Sequence, residues 1–415
     1  MQVSKNKTLM YKLASASVFL YIISAIAFEM SAETAIISTL AIYLVFAIGF
    51  FYLIQRNHMV INEYVGLSVL FCVYVLFRSM SQSASVSMGL QIAYWEFTCV
   101  ILCLLIFWMV IKYPDMVSVI LFAYIAGALI LAFRVVSEYG GVRSMIDFAS
   151  MDGENRIGGL LGNTNAIGLF FANGVFCSMV FFIKHKKPMV KFAIIVVLIA
   201  LATMLLLSGS RKSTIFMLAG FILFYLLYYR KDKSSKKISM GLLAIVVLVI
   251  VFYLIRTLPM FSTIYERFEL LFKGFVGGGS NYKTDETRKA MISIGFSAFM
   301  KKPLMGYGTG YSYRLFGTYS HNNFVELLMN YGIVGFTIYY MTYVLLLAKI
   351  FRRVLKKDIY AIYFFVYISM QLAMGIGWVN YYDRPTQLIT ALAFGYLINV
   401  EKNERIFSNE NIKSV

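Results

Sequence analysis

The chain is dominated by long, almost uncharged apolar stretches that recur from one end to the other. Each holds roughly 20 residues, the length a helix needs to cross a hydrocarbon layer about 30 Å thick. Of the 415 residues, 60% are hydrophobic and 14% are charged, whereas a water-soluble domain carries about 25% charged residues. Too few polar side chains are present to cover soluble domains, so the sequence predicts a membrane protein with many spans.

Basic residues give the chain a formal net charge of +18 at pH 7. Many lie in short clusters between apolar stretches, at 184–187, 230–237 and 349–357. This placement follows the positive-inside rule, by which basic loops stay cytoplasmic, and it argues against nucleic acid as a partner. We therefore expect these clusters and both termini to be cytoplasmic.

The four cysteines, Cys72, Cys99, Cys103 and Cys177, all lie inside apolar stretches. Cys99 and Cys103 share a helix face, but no histidine nearby completes a metal site. The sequence also has no Gly-Lys-Ser/Thr phosphate loop and no Asp-x-Asp pair. We expect buried cysteines, no bound metal and no cofactor.

The apolar stretches predict an all-α bundle of about twelve transmembrane helices in a single membrane domain, residues 1–415. The predicted spans are 13–28, 34–54, 64–78, 90–111, 116–136, 159–183, 190–207, 214–229, 238–256, 322–347, 359–378 and 386–400. An even number of spans agrees with two cytoplasmic termini.

Residues 257–321 form one long connection, on the outer side, between the ninth and tenth predicted spans. Structureless loops of that length are rare, so we expect helices within it. Apolar residues recur at helical spacing from Ile264 to Phe275, which indicates an amphipathic helix lying on the membrane surface. A second helix is predicted from Asp285 to just before Pro303.

Several charged and polar residues lie in or beside spans, where such groups are costly and need an explanation, and Arg288 begins the second loop helix, where the helix dipole would add to its attraction for anions. They are Arg156, Arg211, Lys212, Arg288, His321, Asn322, Glu326 and Asn330. A structural explanation exists for each: an arginine at a helix end extends to the interface, and a buried glutamate pairs with a neighbouring helix. All of them, however, fall on the outer side, so that they can surround one cavity beneath the long loop.

Guanidinium groups suit diphosphate because their planar fork of donors matches phosphate oxygens and stays charged. Arginines on the outer face therefore suggest a ligand with a diphosphate at headgroup level, such as a polyprenyl diphosphate carrying sugars. Aromatic residues near this face are able to stack on sugar rings, although an interfacial aromatic belt has the same composition. They are Tyr282, Tyr307, Tyr311, Tyr313, Tyr319, Trp378, Tyr381 and Tyr382.

Four stretches resemble motifs of the O-antigen ligase and Wzy-type polysaccharide polymerase superfamily of bacterial surface polysaccharide assembly. They are Arg156–Asn165, Ser208–Lys212, Arg288 followed by Lys302–Gly310, and His321–Gly332 with Gly335. The last is the most diagnostic, since it resembles the family's His-Asn pair leading into a helix and a Gly-x-x-Gly turn.

The resemblance implies a metal-independent, inverting glycosyltransferase on the outer face of the bacterial cytoplasmic (inner) membrane. Its donor would be an undecaprenyl-diphosphate-linked glycan. Arg211 and Arg288 would stabilise the leaving diphosphate, with Arg156 and Lys212 assisting. His321 would orient or deprotonate the acceptor hydroxyl.

The same resemblance implies that Asn322 and Glu326 support His321 or contact sugar. It leaves the acceptor open. A polymerase, which we favour, joins repeat units into O-antigen or capsule chains beside a chain-length regulator and a flippase. A ligase transfers the glycan to lipid A core. A transporter of lipid-linked oligosaccharide is a third alternative, which would need charges along a path through the bilayer, where Glu96 and Arg134 are among the few present.

Overall fold

A computed structural model describes residues 9–55, 59–81, 86–151, 155–230, 232, 234–275 and 283–413. Within these residues the chain is helical and contains no strand. The helices are α1 (Leu9–Ala27), α2 (Ala35–Ile54), α3 (Glu63–Ser81), α4 (Val86–Lys112), α5 (Met116–Glu138), α6 (Val142–Ala149), α7 (Thr164–Lys184), α8 (Pro188–Leu207), α9 (Arg211–Tyr228), α10 (Ser234–Thr257), α11 (Ser262–Phe275), α12 (Lys283–Lys301), α13 (Tyr311–Phe316), α14 (Asn323–Val354), α15 (Ile359–Met374) and α16 (Arg384–Lys413). The predicted all-α class is confirmed.

Nine helices in the described part of the chain are long and apolar enough to cross a membrane: α1 to α5, α7 to α9 and α14. The end of α10 and the start of α11 make a tenth candidate, as a pair bent by 102°. Each of the twelve predicted spans falls on a helix, but α15 has 16 residues and α16 runs on into a charged segment. The protein is an integral membrane protein, and the predicted number of twelve spans is approximate.

The helices pack as a bundle in which sequence neighbours and distant helices both meet. α1 packs on α5 and α2, α7 on α5, α8 and α9, α16 on α4, and α14 on α3, α12 and α15. Large aromatic side chains fill the interior, among them the fully buried Tyr124, Phe171, Phe176 and Tyr363. The interior is close-packed, which fixes the ends of the helices that carry the polar residues.

The helix α14 is interrupted at Gly332, whose φ of 64° and ψ of −168° lie outside the helical region. The segment Pro303–Gly308 fills the interruption. The N–H groups of Ile333 and Val334 donate to the carbonyls of Pro303 and Leu304, at 2.8 and 3.2 Å. In return, Tyr307 N–H and Gly308 N–H donate to carbonyls that the break leaves without helical partners, those of Met329 and Asn330. The exchange satisfies the backbone at a helix break inside a membrane protein.

The predicted long loop contains α11, α12 and α13. Because α12 begins at Lys283, Arg288 lies in its second turn rather than at its start, and the helix dipole adds less to its attraction for anions there. The short helix α6 was not predicted. Tyr282 lies outside the described residues.

Candidate functional site

Three of the predicted site residues line one cavity of about 40 Å³ at the end of the bundle where α7 and α9 begin. They are Lys212 on α9, Arg288 on α12 and His321, two residues before α14. The rest of the lining comes from α7 and its N-cap, from the turn before α14, from the end of α15 and from the connector to α16. It consists of Asn163, Asn165, Ala166, Leu169, Tyr319, Met374, Gly377 and Trp378.

The backbone of His321 has a φ of +59°, in the left-handed region that few residues other than glycine adopt. Hydrogen bonds hold both neighbours in place. Ser320 Oγ donates to the Asn322 carbonyl at 2.9 Å, and Ser320 N–H donates to Glu326 Oε2 at 2.8 Å. The turn is therefore fixed from two sides, which directs the imidazole at a set point of the cavity wall.

Glu326 is fully buried and does not line the cavity. Its carboxylate accepts from Ser320 N–H, from the Ser312 hydroxyl and from Asn330 Nδ2. With these donors in place, Glu326 acts on the site through the His321 turn. The resemblance implied that Glu326 either supports His321 or contacts sugar. The geometry favours the first role, because Glu326 bonds to the turn that carries His321 and does not line the cavity.

Asn322 caps the amino terminus of α14, where its Oδ1 accepts from the N–H groups of Phe324 and Val325 at 3.0 Å each. Its Nδ2 donates to the carbonyl of Ile376, at 3.1 Å, in the connector between α15 and α16. Asn322 thus starts the helix and ties the connector to the His321 turn. It is not among the residues that line the cavity.

Lys212 and Arg211 point in different directions because consecutive residues of a helix are about 100° apart. Lys212 Nζ donates to the carbonyl of Gly377. A Cβ atom at Gly377 would lie 2.6 Å from that ammonium, so a larger residue there would make the lysine side chain shift. Arg211 instead reaches α11, with Nη1 3.5 Å from the carbonyl of Arg267. The expectation that Arg211 shares the cavity with Arg288 and His321 is therefore not met; its neighbour Lys212 is there.

Arg156 lies behind the cavity wall. Its Nε donates to the Ser208 carbonyl at 3.1 Å, and its Nη2 donates to Asn165 Oδ1 at 3.0 Å. Ser210 Oγ donates to the same amide oxygen at 3.0 Å. Arg156 therefore orients Asn165, which faces the cavity, rather than facing it itself.

The electrostatics of the cavity favour a neutral imidazole. Burial, the largest cause, and the positive charges of Arg288 and Lys212 together lower the pKa of His321 from 6.5 to about 4. The ring lies against Tyr319, with centroids 4.2 Å apart. A neutral imidazole beside two fixed cations is able to accept a proton while the cations attract an anion.

A second cavity, of about 30 Å³, adjoins the first and shares Ala166, Leu169, Met374 and Trp378 with it. Asp383, in the connector, lines this second cavity, and burial raises its pKa to about 6. Asn173 and Gln371 add amide groups to the wall. Carboxyl and amide groups are able to hydrogen-bond the hydroxyls of a sugar, and the Trp378 ring is able to stack on its face.

No site role was predicted for Asn165, Gly377 or Asp383, although all three line one of the two cavities. Asn165 belongs to a polar pair inside an apolar stretch, a signal that was available. Gly377 and Asp383 have no such signal, since they approach Lys212 and α7 only in the folded chain. Among the described residues, no cluster of three or more His, Cys, Asp or Glu side chains is able to hold a metal ion.

Residues 195–340 match the model of a protein family described as O-antigen ligase. The matched segment is roughly a third of the chain and runs from α8 into α14. It contains Lys212, Arg288 and His321, the three predicted residues that share the cavity. This match is consistent with the O-antigen ligase and Wzy-type polymerase superfamily that the sequence motifs resemble.

A search of curated proteins found no match. The O-antigen ligase segment also includes Arg211, Asn322 and Glu326. Arg156, Asn165 and the connector with Gly377 and Trp378 lie outside it, yet they complete the same cavity. The O-antigen ligase family indicates a glycosyltransferase-like membrane enzyme, and it implies a lipid-linked glycan as the substrate.

Proposed function

We propose that this protein is a polysaccharide polymerase of the Wzy type, which joins undecaprenyl-diphosphate-linked oligosaccharide repeat units on the outer face of the bacterial cytoplasmic membrane. The observation that supports it most is the shared cavity in which Arg288 and Lys212 flank the neutral imidazole of His321. Two fixed cations and one proton acceptor are the groups that transfer from a diphosphate leaving group requires.

In the proposed step, a hydroxyl oxygen of the acceptor attacks the anomeric carbon of the donor sugar. The new carbon–oxygen bond forms as the bond from that carbon to the diphosphate oxygen breaks, and undecaprenyl diphosphate leaves with the electron pair. The hydroxyl proton passes to His321, which returns it to solvent. Attack from the face opposite the leaving group inverts the anomeric configuration, and no metal takes part.

Each cavity residue has a distinct role in this proposal. Arg288 binds the diphosphate with its planar fork, and Lys212, on α9, adds a second positive charge. Asn165, Asn322 and Glu326 position groups around the cavity through their hydrogen bonds. We assign to Arg211 the anchoring of α11 to α9 through the Arg267 carbonyl, in place of the diphosphate contact that the motif suggested.

The ligase alternative has a specific observation in its favour, because the matched family is described as O-antigen ligase. Polymerase and ligase share the donor, the leaving group and the roles above, and they differ in the acceptor. We place polymerase first because the polymerases are the more numerous and divergent branch of the superfamily that the motifs resemble. A flippase would supply the donor, and a chain-length regulator would control the product.

Purified protein, incubated with undecaprenyl-diphosphate-linked repeat units, tests the proposal directly. A ladder of longer lipid-linked products is expected. Transfer exclusively to added lipid A core would replace polymerase by ligase. Absence of any transfer, combined with movement of the lipid-linked glycan across vesicles, would favour the transporter and reject the enzyme.

A further inference from the structure

A carboxylate lies deep in the bundle, away from the cavity that holds His321. Glu96 is 3% exposed and lies ten residues along α4, about 15 Å from the start of that helix. Its Oε2 atom has no hydrogen-bond partner among the described residues. A buried carboxylate without a countercharge is costly in a membrane protein, so the surroundings of Glu96 call for an explanation.

Glu96 lines a separate cavity of about 40 Å³ between α3, α4, α14 and α16. The polar part of the lining consists of hydroxyl and amide groups. Besides Glu96, these groups belong to Tyr64, Ser68, Tyr339, Thr342, Tyr343, Tyr381, Gln387 and Thr390. None of the described lining residues is Lys, Arg or His. Arg384, at the start of α16, bonds to Glu29 and Thr98 instead, at 3.1 and 3.0 Å.

We propose that this cavity binds a partly dehydrated monovalent alkali-metal cation, for which Na⁺ is the probe. Hard cations take oxygen ligands such as carboxylate, hydroxyl and amide groups, and these are the polar groups that line it. A single carboxylate balances a single positive charge, whereas a divalent ion would leave net charge buried. The volume holds about three water-sized particles, enough for one ion and its remaining waters.

The cavity wall is connected to the turn that carries His321. Gln387 Nε2 donates to the Asn380 carbonyl at 2.9 Å, and Asn380 N–H donates to Asn323 Oδ1 at 3.0 Å. Asn323 begins α14, two residues after His321. A cation in the cavity would therefore contact α3, α4, α14 and α16, and hydrogen bonds connect this group of helices to the His321 turn.

Thermal unfolding of the purified full chain in detergent tests the proposal. NaCl replaces choline chloride at constant ionic strength, so that only the cation changes. We expect the unfolding temperature of the unaltered protein to rise saturably by a few degrees with Na⁺, because a ligand of the folded state stabilises it. In Glu96→Gln, which removes the charge and keeps the shape, this rise should disappear. Thr342→Val, which removes one hydroxyl oxygen, should shift the half-saturating Na⁺ concentration upward.

A matched control is Glu63→Gln, at the first residue of α3, where the carboxylate pairs with Lys349 outside the cavity; it should keep the full Na⁺ response. Binding of ²²Na⁺ to the unaltered protein, competed by unlabelled NaCl, gives a second measurement that does not depend on variants folding. About one ion per chain is expected. Two results would overturn the cation site: an unfolding temperature no higher in NaCl than in choline chloride, or an undiminished rise in Glu96→Gln. Glu96 would then be explained as a protonated carboxyl group. The proposed transfer reaction is independent of this outcome.

Discussion

His321 has a strained backbone conformation and a side chain whose pKa is lowered. Its φ of +59° is maintained by bonds from Ser320 and Asn322 on either side, and its pKa is lowered by burial and by two neighbouring cations. Strained conformations of this kind persist where the surrounding structure over-determines them, and they cluster at functional sites. At the scale of single residues, the identity of His321 and the charges beside it carry the proposed chemistry.

Replacement of Arg288 by alanine should reduce the rate of glycan transfer by about 10²- to 10³-fold, the range found when one stabilising donor is removed from a transition state. Arg288→Lys should also be poor, because a point charge does not reproduce the planar fork. The measurement is product formation from lipid-linked repeat units. Lys289→Ala removes an exposed cation from the next position of α12 and should leave the rate unchanged; equal rates in all three variants would reject the role of Arg288.

His321→Ala should lower the same rate by about 10²- to 10⁴-fold, as expected when a general base is lost. His185→Ala is the matched control, since His185 lies exposed at the far end of α7. Transfer at an unchanged rate in His321→Ala, with the protein still folded, would show that the imidazole takes no part.

The acidic limb of the pH–rate profile should report the environment of His321. With a pKa of about 4, below its ordinary 6.5, the imidazole is neutral and able to accept a proton above about pH 4, and it loses that ability as the pH falls through 4. Lys212→Gln removes one of the charges that depress the pKa, so the limb in kcat/KM should move upward, toward 6.5. Lys289→Gln should leave it in place. If the acidic limb does not move in Lys212→Gln, the charge of Lys212 does not lower the pKa of His321.

The interruption of α14 is the feature that organises the site at the scale of elements. The first part of the helix carries the Asn322 cap and Glu326, and the second part continues into the bundle. Between them, the segment Pro303–Gly308 exchanges backbone hydrogen bonds with both parts. Arg78 Nη2 donates to the Gly306 carbonyl, at 3.0 Å, from α3, so the segment is also held from the other side.

Gly332→Ala should destabilise the protein by about 1–3 kcal/mol or more, since only glycine adopts its backbone conformation without strain. A Cβ atom there would also lie 2.3 Å from the Leu304 carbonyl oxygen. The measurement is thermal unfolding in detergent. Gly66→Ala, in α3, has no atom within 4 Å of the new Cβ, and it should be neutral or stabilise the helix by up to about 1 kcal/mol. Equal stabilities of the two variants would contradict this account of the break.

At the scale of the whole molecule, opposite ends of the bundle differ in character. The end with the candidate site holds the His321 turn and the two cavities. The other end holds ion pairs between helices and connections, among them Arg353 with Glu404 at 2.9 Å and Lys349 with Glu63. The basic clusters near these pairs predict that this end is cytoplasmic.

Cysteine labelling in intact cells tests this orientation. The four native cysteines are buried, so a membrane-impermeant maleimide should leave them unlabelled. Lys301→Cys, exposed at the end of α12, should react in intact cells, whereas Lys187→Cys, exposed before α8, should react only after the cells are permeabilised. The reverse pattern would place the candidate site in the cytoplasm and exclude the proposed reaction.

The sequence alone determined the all-helical membrane architecture, because the length and apolarity of a span are local properties. It also pointed to Lys212 and His321, because polar residues at the ends of apolar stretches are conspicuous, and to Arg288 on the predicted helix of the outer loop. It did not determine which neighbour in Arg211-Lys212 faces the cavity, since that depends on the rotation of α9 against α7 and α11. It also could not place Arg156 behind Asn165, or Gly377 against Lys212, since these contacts join residues far apart in the chain. Only the packing of the helices decides them, because the close approach of backbones and the direction of side chains are set by all the neighbouring elements together.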